Sequence, residues 1–360
     1  RDGLGTEPDL QQAEWRFQNA YSGFVVLEEK SHDDKLQYRI GQMLHTGTGT
    51  SKDDEGAARY WEKSAKLGNI NAQYALGTLW LETGSGDSGQ AVEWLTKAAN
   101  AEHSAAQYVL GKLYQDGVYF NKDMDQAMKW FRSAAELGNE YAAYRMGCLL
   151  LLGEEIPKDV EAAVKWLSLS AEKGNPYAQY RLGMLYLKGE EYSPQVEVAM
   201  KWLQQAAEQK NEWAFYQLGK LYLSGEHVTK NVETAVHYLG LCAEKGNQYA
   251  QYALGKLYLC GRDVSRDREK AVEYLTASAE QGNLYASFLL EHLYAYQDPS
   301  LFLAATRLLH HLEKLFCEEV QRPMEMKRYQ IDRKRRRKLS EKKQAQGHHR
   351  DDQEPAQGIY

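Results

Sequence analysis

Apolar and small residues recur along most of this chain at offsets of three and four, the period of a helix and not the alternation of a strand. The stretch "YAQYALGKLYLCG" (Tyr249 to Gly261) echoes "YAQYRLGMLYLKG" (Tyr177 to Gly189) 72 residues earlier. Each carries a glycine, Gly255 or Gly183, inside the helical pattern, where it costs about 1 kcal/mol relative to alanine. A residue that weakens its own helix at a fixed period implies a demand from outside that helix.

The glycine falls at Gly41, Gly77, Gly111, Gly147, Gly183, Gly219 and Gly255, a spacing of 36 residues except for 34 between Gly77 and Gly111. Five residues before it stands alanine, from Ala72 to Ala286, and three before it tyrosine, from Tyr38 to Tyr252. The Ala72, Leu76 and Leu79 positions form a stripe expected to be buried. A second glycine, such as Gly117, Gly153, Gly189, Gly225 or Gly261, closes the segment as a left-handed cap would.

A second periodic segment follows each first one, as in "DQAMKWFRSAAELGN" and "EAAVKWLSLSAEKGN". Its aromatic position reads Tyr60, Trp94, Trp130, Trp166, Trp202, Tyr238 and Tyr274, flanked by alanines three before and five after. Asp53, Asp87, Asp123, Asp159, Asn231 and Asp267 sit where an N-cap belongs, with Gln195, beside Pro194, as the exception. Asn69, Asn139, Asn175, Asn247 and Asn283 stand where they can cap the next helix. The short copy loses its two residues in "ETGSGDSG", read as a loop. Each unit is thus a helix hairpin that cannot bury its apolar faces alone, so stacking is required. Small residues let the helix backbones approach, and the Tyr and Trp columns are expected to fill the space above the glycine.

The pattern A-x-x-x-L-G-x-L-Y-x-x-G, followed by D-x-x-x-A-x-x-W-x-x-x-A-A-x-x-G, closely resembles the Sel1-like repeat, a relative of the tetratricopeptide repeat. The resemblance implies an all-α, right-handed superhelical solenoid of about seven helix-turn-helix repeats of 36 residues. It also implies a non-catalytic scaffold whose first helices line a concave, protein-binding face. The organisation expected is an entry or capping helix over 1–34, repeats over 35–289, capping helices over 290–320, and a basic, disordered tail over 321–360. Ala13, Phe17, Ala20, Tyr21 and Phe24 give the entry helix one apolar face. Asp298-Pro299 and the stripe Leu301, Ala305, Leu308, Leu312 and Leu315 mark the closing helices.

By comparison with tetratricopeptide geometry, Tyr74, Tyr108, Tyr144, Tyr180, Tyr216 and Tyr252 border the concave groove, with Lys112, Lys220 and Lys256 one turn further on. Two readings stand side by side: a ladder of contacts for an extended protein or peptide partner, or packing between repeats with the hydroxyls at the surface.

Charge alters the picture only at the end of the chain. The formal net charge is −6, yet Lys327, Arg328, Arg333, Lys334, Arg335, Arg336, Arg337, Lys338, Lys342 and Lys343 cluster against Asp332 and Glu341 alone. Such a run suits salt-dependent phosphate-backbone binding to DNA, an acidic protein, or simple solvation. The ending "RLLHHLEKLF" with "QIDRKRRRKLSEKKQAQGHHRDDQEP" also resembles the C-terminal region of mobilisation relaxases of Firmicutes mobile elements. That resemblance implies the accessory part of a relaxase, with any nicking domain upstream. The alternative is a stand-alone repeat adaptor in a bacterial signalling or assembly complex. Arg1 and "RDGLGTEP" are neither an initiator nor a signal peptide, so the chain reads as part of a longer protein.

Catalysis finds no support. Cys148, Cys242, Cys260 and Cys317 show no metal-ligand spacing and read as reduced, packed thiols of a cytoplasmic protein. His310 and His311 are adjacent on a helical pattern and diverge, and His348, His349, Asp351 and Asp352 lie in the tail. There is no P-loop, no G-x-S-x-G and no H-E-x-x-H. No cofactor, metal or small-molecule substrate is implied, and no run approaches the length needed to span a membrane.

Overall fold

The computed structural model describes residues 9–84, 86–189 and 194–293, and sixteen helices with no strand among them. The expected closing helices, Cys317, the paired histidines and the basic run of residues 327–343 lie outside the described residues. The chain divides into two compact units, Arg1–Ser170 and Ala171–Tyr360.

The first unit opens with α1 (Leu10–Ser31). Four hairpins follow: α2 (Asp34–Thr46) with α3 (Asp54–Lys66), α4 (Ile70–Thr83) with α5 (Ser88–Asn100), α6 (Ser104–Asp116) with α7 (Met124–Glu136), and α8 (Glu140–Leu152) with α9 (Val160–Glu172), whose last turn contains the division. The second unit holds α10 (Pro176–Lys188) with α11 (Val196–Glu208), α12 (Glu212–Ser224) with α13 (Val232–Glu244), α14 (Gln248–Cys260) with α15 (Arg268–Glu280), and α16 (Leu284–Glu291). The fold is an all-α repeat solenoid.

The helix boundaries follow from the caps. Asp53, Asp87, Asp123, Asn231 and Asp267 each accept a backbone N–H of the first turn, and Gln195 caps nothing with its side chain. Gly117, Gly153, Gly189, Gly225 and Gly261 end their helices at φ between 63° and 72°, a conformation other residues adopt at a cost.

The recurring mid-helix glycine is where the two helices of a hairpin meet. Side chains close over it from the second helix, but they come from the residue after the aromatic column: Leu95, Leu167, Leu203, Leu239 and Leu275, with Trp61 and Phe131 in two repeats. The expectation that the Tyr and Trp column fills this space is therefore corrected. One residue along a helix turns the side chain by about 100°, which swings the column off the glycine. Tyr222 instead stacks on Tyr238 at 6.2 Å and Tyr258 on Tyr274 at 6.2 Å, at the hairpin's flank. The stripe expected to be buried is buried: Ala72 and Leu76 are fully enclosed and Leu79 nearly so.

Helix α1 substitutes for a preceding repeat. Gln73, Gln107, Gln179 and Gln251, four before the glycine, donate to the carbonyls of Ala65, Ala99, Ala171 and Ala243 at the end of the previous second helix, at 3.0–3.3 Å. Gln37 has no such helix before it. Its amide donates to the buried Glu28 carboxylate of α1 at 2.8 Å. Tyr21, Phe24 and Val25 of α1 pack on the first repeat's core.

Candidate functional site

The exposed face of the first helices is set by ties at their N-termini. Three capping asparagines, Asn69, Asn139 and Asn211, work twice. Asn69 Oδ1 accepts from the Ala72 N–H at 3.0 Å while its Nδ2 donates to the Asp34 carboxylate at 2.8 Å, on the preceding first helix. In the second unit Asn211 Oδ1 accepts from Ala214 N–H at 3.0 Å and its Nδ2 donates to the Pro176 carbonyl at 3.3 Å. An ionised aspartate could do the first task but not the second, because it has no donor. Hydroxyls on the second helices hold the same end: Ser64 donates to Asp34 O at 2.6 Å and Ser278 to Gln248 O at 2.7 Å. With these N-termini fixed, the same register positions of successive first helices recur on the same side.

In the first unit that side opens into a cleft of about 670 Å³. Two successive repeats line it with matching positions: Tyr38 and Tyr74 three before the glycine, Arg39 and Ala75 two before, Gln42 and Thr78 one after, Thr46 and Glu82 five after. Phe17, Ala20 and Phe24 of α1 form another wall. The cleft is largely apolar, with Arg39 and Glu82 as its charged groups. Burial raises the Tyr38 phenol, partly offset by Arg39, and raises that of Tyr74. Both stay neutral hydroxyl donors at physiological pH.

Of the six tyrosines singled out in the sequence, Tyr74, Tyr108 and Tyr144 lie in the first unit and Tyr180, Tyr216 and Tyr252 in the second, all half-buried. They are packed between repeats. Tyr108 meets Tyr141 at 6.4 Å, Tyr216 meets Tyr249 at 6.2 Å, and Tyr252 meets Tyr285 at 6.1 Å, in each case across adjacent first helices. Lys112, Lys220 and Lys256 lie over the rings of Tyr108, Tyr216 and Tyr252 at 5.5–5.9 Å, contacts of about 0.5–1 kcal/mol at exposed sites. All six remain half-buried rather than fully enclosed.

Sequence reading did not single out His103, which caps α6 through Nδ1, 3.2 Å from the Ala106 N–H, and stacks on Tyr74 at 4.6 Å. The signal was its place in the asparagine register. Tyr141, Tyr177, Tyr249 and Tyr285, six before the glycine frame, were also passed over although they recur in phase. Among the described residues no group of three or more His, Cys, Asp or Glu is placed to hold a metal ion, and no described helix is long and apolar enough to cross a membrane.

The family model described as Sel1 repeat matches residues 35–69, 70–103, 104–139, 140–175, 176–211, 214–247 and 248–283. The chain therefore belongs to the Sel1 repeat family, whose members act as protein-interaction scaffolds and are generally non-catalytic. Its fold is similar to that of a protective antigen of uropathogenic Escherichia coli, with a TM-score of 0.68 and 30% identity over 82% of this chain and 61% of that one. A Sel1 repeat protein from Oxalobacter formigenes aligns with a TM-score of 0.62 and 26% identity, over 81% of this chain and 92% of that one. In sequence, 106 residues are 32% identical to chitin synthase regulatory factor 1 of Schizosaccharomyces pombe, 28% of this chain and 23% of that protein. The chain thus spans about a quarter of the length of this curated relative.

Proposed function

We propose that this chain is a protein-binding scaffold whose exposed first-helix face takes an extended peptide segment of its partner. The observation that carries this reading is the cleft, because two successive repeats present the same four register positions to it. Repetition of a lining suits a ligand that is itself extended and repeats its contacts. The test is selection of a displayed library of random peptides against the whole chain and against Thr78→Trp, which places an indole in the cleft. Binders lost on Thr78→Trp support the reading. An empty selection, or binders indifferent to the substitution, sinks it.

The finer assignment is the accessory part of a mobilisation relaxase, with Lys327 to Lys343 holding DNA. It rests on the tail sequence and has no counterpart among the relatives named above. Titration with single- and double-stranded DNA at rising salt, with and without residues 327–360, tests it. Binding that falls steeply with salt and vanishes on truncation supports it. No binding at low salt removes it and leaves the adaptor reading.

A further inference from the structure

The second unit segregates its charge between its two sets of helices. Beyond the first residue of each, α10, α12 and α14 carry Arg181, Lys188, Lys220 and Lys256 and no carboxylate. The second helices α11, α13 and α15 carry seven glutamates against Lys201, Arg268 and Lys270. In a chain of net charge −6 these three first helices are thus basic, while α16 carries Glu291 alone.

Lys188 and Lys220 are exposed, and Arg181 and Lys256 are half-buried. Arg181 stands two before its glycine, Lys220 and Lys256 one after, and Lys188 five after. Their counterparts in the first unit, Arg39, Gln42, Thr78 and Glu82, line the open cleft. Lys220 and Lys256 reach out over Tyr216 and Tyr252, at 5.5 and 5.8 Å from the ring centroids. The rungs are adjacent, because Tyr216 touches Tyr249 of the next first helix and Tyr252 touches Tyr285 of the one after.

We propose that this face of the second unit binds an extended acidic peptide, its carboxylates falling opposite Lys220 and Lys256. The inference rests on the scaffold reading above and adds the chemistry of the ligand. An apolar segment would strip water from the ammonium groups without replacing it, and a basic one would be repelled. A nucleic acid is disfavoured, because one cation per rung neutralises few of its closely spaced phosphates and the glutamates of the same unit repel a polyanion.

The experiment is the same selection, with a random library of about a dozen residues, about 40 Å when extended. The whole chain is compared with the double variant Lys220→Glu/Lys256→Glu and with Lys220→Gln/Lys256→Gln, each checked by thermal melt. The expected pool is rich in Asp and Glu. Its binding weakens with salt, falls about tenfold or more, about 1.4 kcal/mol, on charge reversal, and falls less on the glutamine change. A pool without acidic bias, or one that the reversed variant binds equally well, overturns the acidic ligand while leaving the scaffold standing. A selection empty on every protein overturns both. Lysine-dependent binding of poly(dT) in place of the peptides assigns the face to nucleic acid and overturns the proposal.

Discussion

Leu203 closes over Gly183, so that a β-carbon on Gly183 would stand 2.7 Å from Leu203 Cγ and 3.2 Å from the Ala199 carbonyl oxygen. Gly219 and Leu239, and Gly255 and Leu275, repeat the relationship at 2.6 and 2.7 Å. An alanine would gain about 1 kcal/mol in helix propensity. It would also force apart a contact with a fully buried leucine, and overpacking a core costs about 1–3 kcal/mol. Gly183→Ala is expected to lose stability despite its better propensity, and Gly183→Leu to lose more. Denaturant melts decide it: an alanine variant as stable as the parent would show that Leu203 yields freely.

The glycine and its demand were legible because the cost recurs in phase, and so were the caps, whose chemistry is local. What closes over the glycine was not. Trp and Tyr dominate the eye in the second segment, whereas the leucine beside them has the direction that matters, and direction depends on how the two helices cross. The tyrosine column was legible as a column. Its partners were not, since Tyr249 and Tyr285 belong to the following repeats and only the stacking of hairpins brings them against Tyr216 and Tyr252.

Cys242 stands in the register of Ser64, Ser170 and Ser278 and does their work. Its thiol donates to the Glu212 carbonyl at 3.3 Å, where the serines donate to Asp34, Glu140 and Gln248 at 2.6–2.7 Å. Burial, reinforced by Glu212, pushes its pKa up to about 12, so thiolate is scarce at neutral pH. Iodoacetamide should label native Cys242 more slowly than Cys148 or Cys260, with sites mapped by mass spectrometry. Cys242→Ser should stay within about 0.5–1.5 kcal/mol of the parent, the worth of one such hydrogen bond. Cys242 labelling first would contradict the assignment.

Glu28 lets α1 act as a cap, because it supplies the acceptor that an alanine carbonyl supplies to Gln73 and Gln251. Removing it leaves the Gln37 amide buried without that acceptor, at a cost of about 1–3 kcal/mol. Glu28→Gln keeps an acceptor oxygen and should cost less than Glu28→Ala. Hydrogen exchange in α1 and α2 reads the effect locally. Equal protection in both variants would mean that the apolar contacts of Tyr21 and Phe24 hold the cap alone.

His103 makes one cap sensitive to pH. Its Nδ1 accepts from the Ala106 N–H, which requires that nitrogen to be unprotonated. Burial, partly offset by a backbone hydrogen bond, holds its pKa below the ordinary value of about 6.5. The unfolded chain then binds the proton more readily than the folded one, so stability from this site is complete above about pH 6.5 and falls as the pH drops below it. The loss levels off once the pH has passed the folded pKa. His103→Asn installs the residue that caps α4 and α8 and does not titrate. The parent should therefore lose more stability than the variant between about pH 7 and about pH 5, the range where histidine titrates. Other histidines cancel in the comparison. Parallel stability curves would show that the imidazole caps α6 no better than the charged ring does.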